Sequence, residues 1–390
     1  MPPSHSTARI GINAQKLSTS ESYHAAGSSR YVYSLLRELR ALELPETIVG
    51  YLGPGEHPDD LAPRERFYTR HATWPTVRPS VRIAWEQVVL PRWARHDRIT
   101  LLHGAVNAIP LAWRAPSVVT ILDLTFRLIP AAFNRGNRLY LRWAVAFAAA
   151  RADRIIAISE ATRQDVIRYL HVPPDRVKRV YCGVESYFQP IENGRLRDFR
   201  KKQGVTRPFI LYLATIEPRK NLIRLIDAYG ELRRRKATDH DLVLAGGPGW
   251  GVETIVEHVG AVGLDGHVRF VGFVPEPEIA SWYNAADLFV YPSEYEGFGL
   301  PALEALACGT PVIASNRSSL PEVVGEAGVL VDPTDTGAMA DAMQRVLEDE
   351  RLQSRLSAAG PEQARSFSWR RTAEETLDVY RAVTRQHELR

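Results

Sequence analysis

Apolar residues gather in short runs of four to eight along the chain, separated by longer stretches with helical spacing. In the first half RIGINA, TIVGYL, ITLLHGA, SVVTILDL, RIIAIS and RVKRVYCG read as strands. SSRYVYSLLRELRAL, LYLRWAVAFAAARA and ATRQDVIRYL read as helices between them. A second series, FILYLAT, DLVLAGG, VRFVGFV, DLFVYPS, TPVIASN and GVLVDP, repeats the alternation. Short strands without polar alternation, each followed by a helix, predict parallel sheets covered on both faces. The fold class expected is α/β, with two doubly wound parallel-sheet domains. The first should cover residues 1–190 and the second 208–368, joined by a polar, basic linker at 191–207. A terminal helix at 369–390 should pack back on the first domain. Two such domains in tandem predict a cleft, with ligands beyond the carboxyl ends of the strands.

Charge is uneven. The net charge is +4 over 390 residues, but residues 1–190 hold 25 Lys and Arg against 16 Asp and Glu, and the remainder 24 against 29. A basic first half predicts an anionic partner or simply a solvated arginine-rich face. No aromatic-rich basic motif accompanies the charge, so no nucleic-acid partner is expected. Cys182 and Cys308 are too few for a disulfide framework, which fits a reducing cytoplasm. The start, MPPSHSTARI, lacks an apolar signal core, so export is not expected. The most apolar stretch, Leu141 to Ala150, contains Arg142 and is half the length of a membrane span.

The strand-to-helix junctions carry the candidate chemistry. In EYEGFGLPALEALACG, Glu296 and Glu304 bracket a loop containing Gly297 and Gly299, and Pro301 opens the next helix. Free N–H groups there suit an anion or sugar hydroxyls, and both carboxylates suit a polyol. A plain corner with two surface glutamates is the alternative. In LATIEPRKNLIRL, Arg219 and Lys220 stand at a helix start, where a diphosphate would bind. The loop AGGPGWG is neither a P-loop nor GxGxxG and reads as a tight turn. In the first half Gly27 lies at a helix start that Ser28 or Ser29 could cap; Gly27 could instead let a phosphate or sugar approach. Asp123 and His103 end strands, are expected to face the cleft, and could serve as base or polar anchor. Asp239-His240-Asp241 precedes a strand and reads as a surface turn; no metal site is predicted.

The segment SEYEGFGLPALEALACGTPVIASNRSSLPEVVGEAGVLVDP resembles the donor-site segment of the retaining glycosyltransferases of family 4. These have the GT-B fold of two facing Rossmann-like domains. LATIEPRKNL resembles the family's diphosphate loop, GSSRYVYSLL its glycine loop, and RIIAISEATRQDVIRYLHVPPDRVKRVYCGV its closing βαβ segment. The resemblance implies that Glu296 holds the donor sugar beside the reacting carbon. It implies backbone N–H groups from Phe298, Gly299 and Leu300 to sugar and phosphate. Arg219 and Lys220 would neutralise the leaving diphosphate, and Glu304 would bind ribose hydroxyls. Three positions depart from the family pattern: Leu122 where a histidine is usual, Ala214 for a glycine, and Asn13 for an aspartate.

The resemblance implies transfer of a sugar, mannose favoured, with retention, to a hydroxyl of a glycan or lipid-linked acceptor in cell-surface polysaccharide synthesis. The co-substrate would be GDP-mannose or a UDP-sugar, with no other cofactor. The basic half would lie at the inner face of an anionic membrane through Arg135, Arg138 and Arg142. The competing readings are a sugar-nucleotide epimerase or phosphorylase on the same fold, and a binding protein without turnover.

Overall fold

The computed structural model describes residues 8–17, 26–55, 57–130, 133 and 135–389. Its contacts divide the chain into two compact units. One runs to Gly183 and resumes at Trp369; the other is Val184–Ser368.

The first unit contains β1 (Arg9–Ala14), α1 (Ala26–Ala41), β2 (Thr47–Leu52), β3 (Phe67–His71), α2 (Pro79–His96), β4 (Leu101–Gly104) and β5 (Ser117–Ile121). It continues with α3 (Thr125–Leu128), α4 (Arg135–Arg151), β6 (Arg154–Ala157), α5 (Glu160–Leu170) and β7 (Val177–Arg179). The seven strands pair in parallel in the order β3-β2-β1-β4-β5-β6-β7. The interior residues of β1, β2, β4, β5 and β6 are buried without alternation, because helices cover both faces. Trp85, Leu90 and Ala94 of α2 pack with Tyr51 and Leu102, while Val145 and Ala148 of α4 pack with Val119 and Ile155. Ser159 caps α5, accepting from Thr162 N at 3.0 Å.

The second unit contains α6 (Asn193–Lys202), β8 (Phe209–Leu213), α7 (Leu222–Arg234), β9 (Asp241–Ala245), α8 (Val252–Ala261), β10 (Val268–Gly272) and α9 (Glu276–Ala285). It continues with β11 (Leu288–Tyr291), α10 (Leu300–Ala307), β12 (Val312–Ser315), α11 (Leu320–Val324), β13 (Val329–Val331), α12 (Thr336–Glu348) and α13 (Glu350–Ala364). Its six strands are parallel in the order β10-β9-β8-β11-β12-β13. The final helix α14 (Trp369–Glu388) belongs to the first unit. There Trp369 meets Tyr31 with ring centroids 6.2 Å apart, and Arg381 pairs with Glu46 at 2.7 Å.

The linker expected at 191–207 is instead part of the second unit. Residues 193–202 form α6, held by Arg200 Nε donating to Ala285 O at 3.1 Å and by Lys202 pairing with Glu278 at 2.8 Å. Its apolar content is low, so tertiary bonds rather than a greasy face fix it. The short strand β3 and the helix α2 also escaped the sequence reading. No described helix is long and apolar enough to cross a membrane.

Candidate active site

In an open parallel sheet, ligands bind where neighbouring strands send their connections in opposite directions. In the second unit that place is between β8 and β11. The junctions after these two strands carry Arg219, Lys220 and Glu296.

β8 leads into a single tight turn, Pro218–Lys220, and then α7. Asn221 takes a left-handed conformation at φ 62° between them. Its side-chain amide donates to Pro292 O at 3.2 Å and to Pro333 O at 2.7 Å. This lashes the turn to the loops after β11 and β13. Arg219 strengthens the link: its guanidinium donates to Tyr295 O at 2.5 Å, and its carbonyl accepts from Glu294 N at 3.1 Å. The turn is pressed from its other side by the glycine loop after β9. A Cβ on Gly246 would sit 1.9 Å from Ala214 O, so this glycine serves close backbone approach.

After β11 the chain makes a loop that ends at α10. Gly299 has φ 106°, and a Cβ there would meet Leu320 Cδ2 at 2.6 Å, so both conformation and space require glycine. Ser318 and Ser319, from the next junction, brace the loop. Ser318 Oγ donates to Glu296 O at 2.5 Å, and Ser319 Oγ lies 2.7 Å from Phe298 O. At the start of α10 Pro301 carries no N–H, and Ala302 N and Leu303 N donate to Gly299 O at 3.0 and 3.2 Å, which leaves the Leu300 N–H without a hydrogen-bond partner among the described residues.

Glu296, Lys220 and Arg219, candidates from the sequence, come together here, and not as idle groups. Lys220 Nζ donates to Glu296 Oε1 at 2.6 Å and to Tyr291 Oη at 2.7 Å. Arg219 lies 3.1 Å from the same carboxylate oxygen and 2.6 Å from Glu217. Burial alone would raise the Glu296 pKa; Arg219 and then Lys220 overcome it and bring it down to about 2. Burial, and then Arg219, pull the Lys220 ammonium below its ordinary value, against Glu296 and Glu217. Of the ammonium's three donors, two are engaged with Tyr291 and Glu296. The third can reach a phosphate.

Acid stability tests the knot. Glu296 drops from 4.5 to about 2, so its contribution is present above pH 4.5 and is lost as pH falls toward 2. Urea unfolding of the second unit across that window should show a loss of about 3 kcal/mol that Glu296→Gln lacks. The same pH slope in both proteins would contradict an ion-paired carboxylate.

Glu304 lies within α10, 3% exposed, and its Oε2 accepts from the buried Tyr283 hydroxyl at 3.0 Å. Phe298 is buried with its ring 5.7 Å from Phe367, so the residue presents backbone rather than ring. Tyr291, Asn221, Glu217 and the two serines were not read from sequence. Their signal was position alone, at or beside the ends of β8, β11 and β12.

The first-unit predictions fare differently. His103 does not face a cleft. It is fully buried inside β4, with Nδ1 2.6 Å from Tyr380 Oη and Nε2 2.8 Å from Thr120 Oγ1. Burial lowers its pKa to about 3, so it is a neutral core histidine and not the base considered above. Asp123 is half-buried after β5 and accepts from Thr125 N at 2.9 Å, which starts α3. Leu122, in the position of the absent histidine, is tied through its backbone N–H to Asn107 Oδ1 at 3.0 Å. Gly27 is exposed near the start of α1 with nothing within 4 Å of a Cβ, so no packing demands glycine there. Both Ser28 and Ser29 lie inside that helix rather than before it.

Two family models match the chain. The model for glycosyl transferases group 1 matches residues 196–363, and that for Glycosyltransferase Family 4 matches residues 25–186. The O-antigen chain mannosyltransferase B of Escherichia coli is 34% identical over 293 residues, covering 75% of this chain and 77% of that protein. The chain is a family 4 glycosyltransferase. The serotype-specific mannosyltransferase WbdA of Escherichia coli is 37% identical over 234 residues, 59% of this glycosyltransferase but only 29% of WbdA. Among solved structures, sucrose-phosphate synthase from Thermosynechococcus elongatus has the same fold, with TM-score 0.78 and 23% identity over 97% of this chain and 100% of that one. The GT-B fold expected from the sequence is therefore the fold found. Enzymes of this class take a nucleotide-sugar donor and a glycan acceptor.

Proposed function

We propose that this glycosyltransferase moves mannose from GDP-mannose to a hydroxyl of a growing glycan or lipid-linked acceptor, with retention at the anomeric carbon. The observation that carries the reading is the Lys220–Glu296–Tyr291 knot at the β8/β11 switch point, beside the start of α10. The mannose preference rests on the relative with 34% identity. Arg219, Lys220 and the helix N-terminus stabilise charge growing on the leaving diphosphate. Glu296, its Oε1 fixed by three partners, accepts from sugar hydroxyls through its other oxygen and orients the ring. Glu304 accepts from the ribose. The leaving phosphate takes the acceptor proton. The nucleotide sugar is the sole co-substrate in this reading, with no further cofactor.

Incubation with GDP-mannose, UDP-glucose or UDP-N-acetylglucosamine and a mannosyl acceptor tests this, with product anomers read by NMR. The expected result is an α-linked mannoside from GDP-mannose alone. Transfer from a UDP-sugar only, or a β-linked product, would overturn it.

We further propose that the enzyme works at the inner face of the plasma membrane, docked through α4. Arg135, Leu139, Arg142 and Trp143 share one exposed face of this helix, with Leu139 70% and Trp143 51% exposed. Arg138 is half-buried and less available than the sequence implies. Basic residues beside an exposed tryptophan match an anionic headgroup layer. Flotation with phosphatidylglycerol vesicles should carry the enzyme upward, and Trp143→Ala with Arg142→Ala should abolish this. Equal flotation of the double variant would sink the α4 assignment.

A further inference from the structure

The first unit has its own switch point, between β1 and β4, and its charged residues have no role so far. Asn13 near the end of β1 donates through Nδ2 to Glu86 Oε1 at 3.2 Å. Glu86 projects from α2 and is 7% exposed, a carboxyl that burial pushes up against the pull of Arg82, Asn13 and Lys16. Arg82, one turn earlier, brings its Nε to 3.9 Å, an ion pair beyond hydrogen-bond distance. Lys16, two residues past β1, is half-buried, and its ammonium has no hydrogen-bond or ion-pair partner among the described residues. Burial, then Arg82, lowers it to about 8, against the attraction of Glu86. Tyr140 of α4 feels the same charges: burial and then Glu86 raise its hydroxyl to about 12, and it too makes no hydrogen bond among the described residues.

Arg82 thus stands 3.9 Å from a buried carboxyl whose charge Lys16 also feels, and the side-chain N–H groups of both cations make no hydrogen bond among the described residues. A half-buried ammonium with no acceptor among the described residues is open to one from outside the chain. A group with several anionic oxygens would satisfy it. The excess of basic residues in the first half points to the same partner independently.

We propose that Lys16 and Arg82 hold a phosphate group of the acceptor at the carboxyl end of β1, with Glu86 taking a hydroxyl of the adjoining sugar. This rests on the glycosyltransfer reading above and names the acceptor class as phosphate-bearing. Asn13, where the family pattern has an aspartate, fits the assignment. An amide donates to Glu86, whereas a second carboxylate would repel both it and a phosphate. Tyr140 adds a donor from the helix whose outer face carries Leu139 and Trp143. A lipid-linked diphosphate glycan and a soluble sugar phosphate share this chemistry.

Isothermal titration of the full chain with mannose 1-phosphate, a short prenyl diphosphate mannose and methyl α-mannoside tests the site. At least one phosphate-bearing probe should bind tenfold or more tightly than the neutral glycoside. Lys16→Ala and Arg82→Ala should each weaken that probe by roughly tenfold or more. Both should keep wild-type binding of the nucleotide sugar, which shows that they fold. Lys220→Ala should leave the probe's affinity intact. Preference for mannose 1-phosphate assigns a soluble acceptor, and preference for the prenyl compound a lipid-linked one. Failure of both phosphate-bearing probes, equal binding of the neutral glycoside, or full affinity in Lys16→Ala would overturn the proposal. So would loss of probe binding in Lys220→Ala, which places the phosphate on the donor loop. Loss of nucleotide-sugar binding in wild type would count against the donor reading instead.

Discussion

Lys220→Ala should lower kcat/KM by about 10²- to 10³-fold, the effect of removing one preorganised group aimed at developing charge in a sheltered site. Lys220 is 6% exposed and its Nζ is held by Tyr291 and Glu296, so it meets a phosphate without reorganising. The fold should survive, because Glu296 keeps Arg219 at 3.1 Å and Tyr291 at 2.9 Å. Lys220→Arg should not rescue, since a planar fork cannot replace a point charge in so tight a knot. Initial rates against donor concentration check both variants. A loss under threefold in Lys220→Ala would remove the lysine from the leaving-group role.

His103→Ala should act on stability and leave turnover per folded molecule unchanged. The substitution opens a cavity in β4 and strips a partner from Tyr380 Oη and Thr120 Oγ1. Cavity and unpaired polar atoms together should destabilise the first unit by about 3 kcal/mol or more. The pH dependence has a definite sign. The imidazole falls from 6.5 to about 3 on folding, so the neutral ring's contribution is full above pH 6.5 and is lost as pH falls toward 3. Denaturant unfolding at pH 7 and pH 5 should therefore converge for wild type and variant as acid is added. A normal melting profile with kcat reduced a hundredfold would restore a catalytic histidine.

The two cases show what a sequence makes legible. Arg219, Lys220 and Glu296 could be placed together because glycines, prolines and charges mark the ends of two strands, and parallel sheets put ligands there. Their mutual pairing could not be read, since it depends on which loops touch. Asn221 and Ser318 make that contact through left-handed conformations at φ 62° and 57° that composition does not announce. His103 looked like a strand-end residue because LLHG reads the same whether or not another helix covers it. Tyr380 of α14, 277 residues away, supplies the cover. The strand β3, FYTRH, is short and mostly polar because it lies at the sheet edge. The helix α2 was hidden by Pro91 in its interior, yet it carries Glu86 and Arg82. The helix α6 reads as linker because most of its charges face water, and only Arg200, donating to Ala285 O, and Lys202, pairing with Glu278, tie it to the fold.

The central claim is that the β8 and β11 junctions grip a nucleotide sugar. Calorimetric titration of the wild-type chain, Lys220→Ala and Glu304→Ala with GDP-mannose and UDP-sugars tests it most directly. The account predicts saturable binding of GDP-mannose by wild type, weakened at least tenfold in each variant. Binding of no nucleotide sugar, or equal affinity in all three proteins, would contradict it.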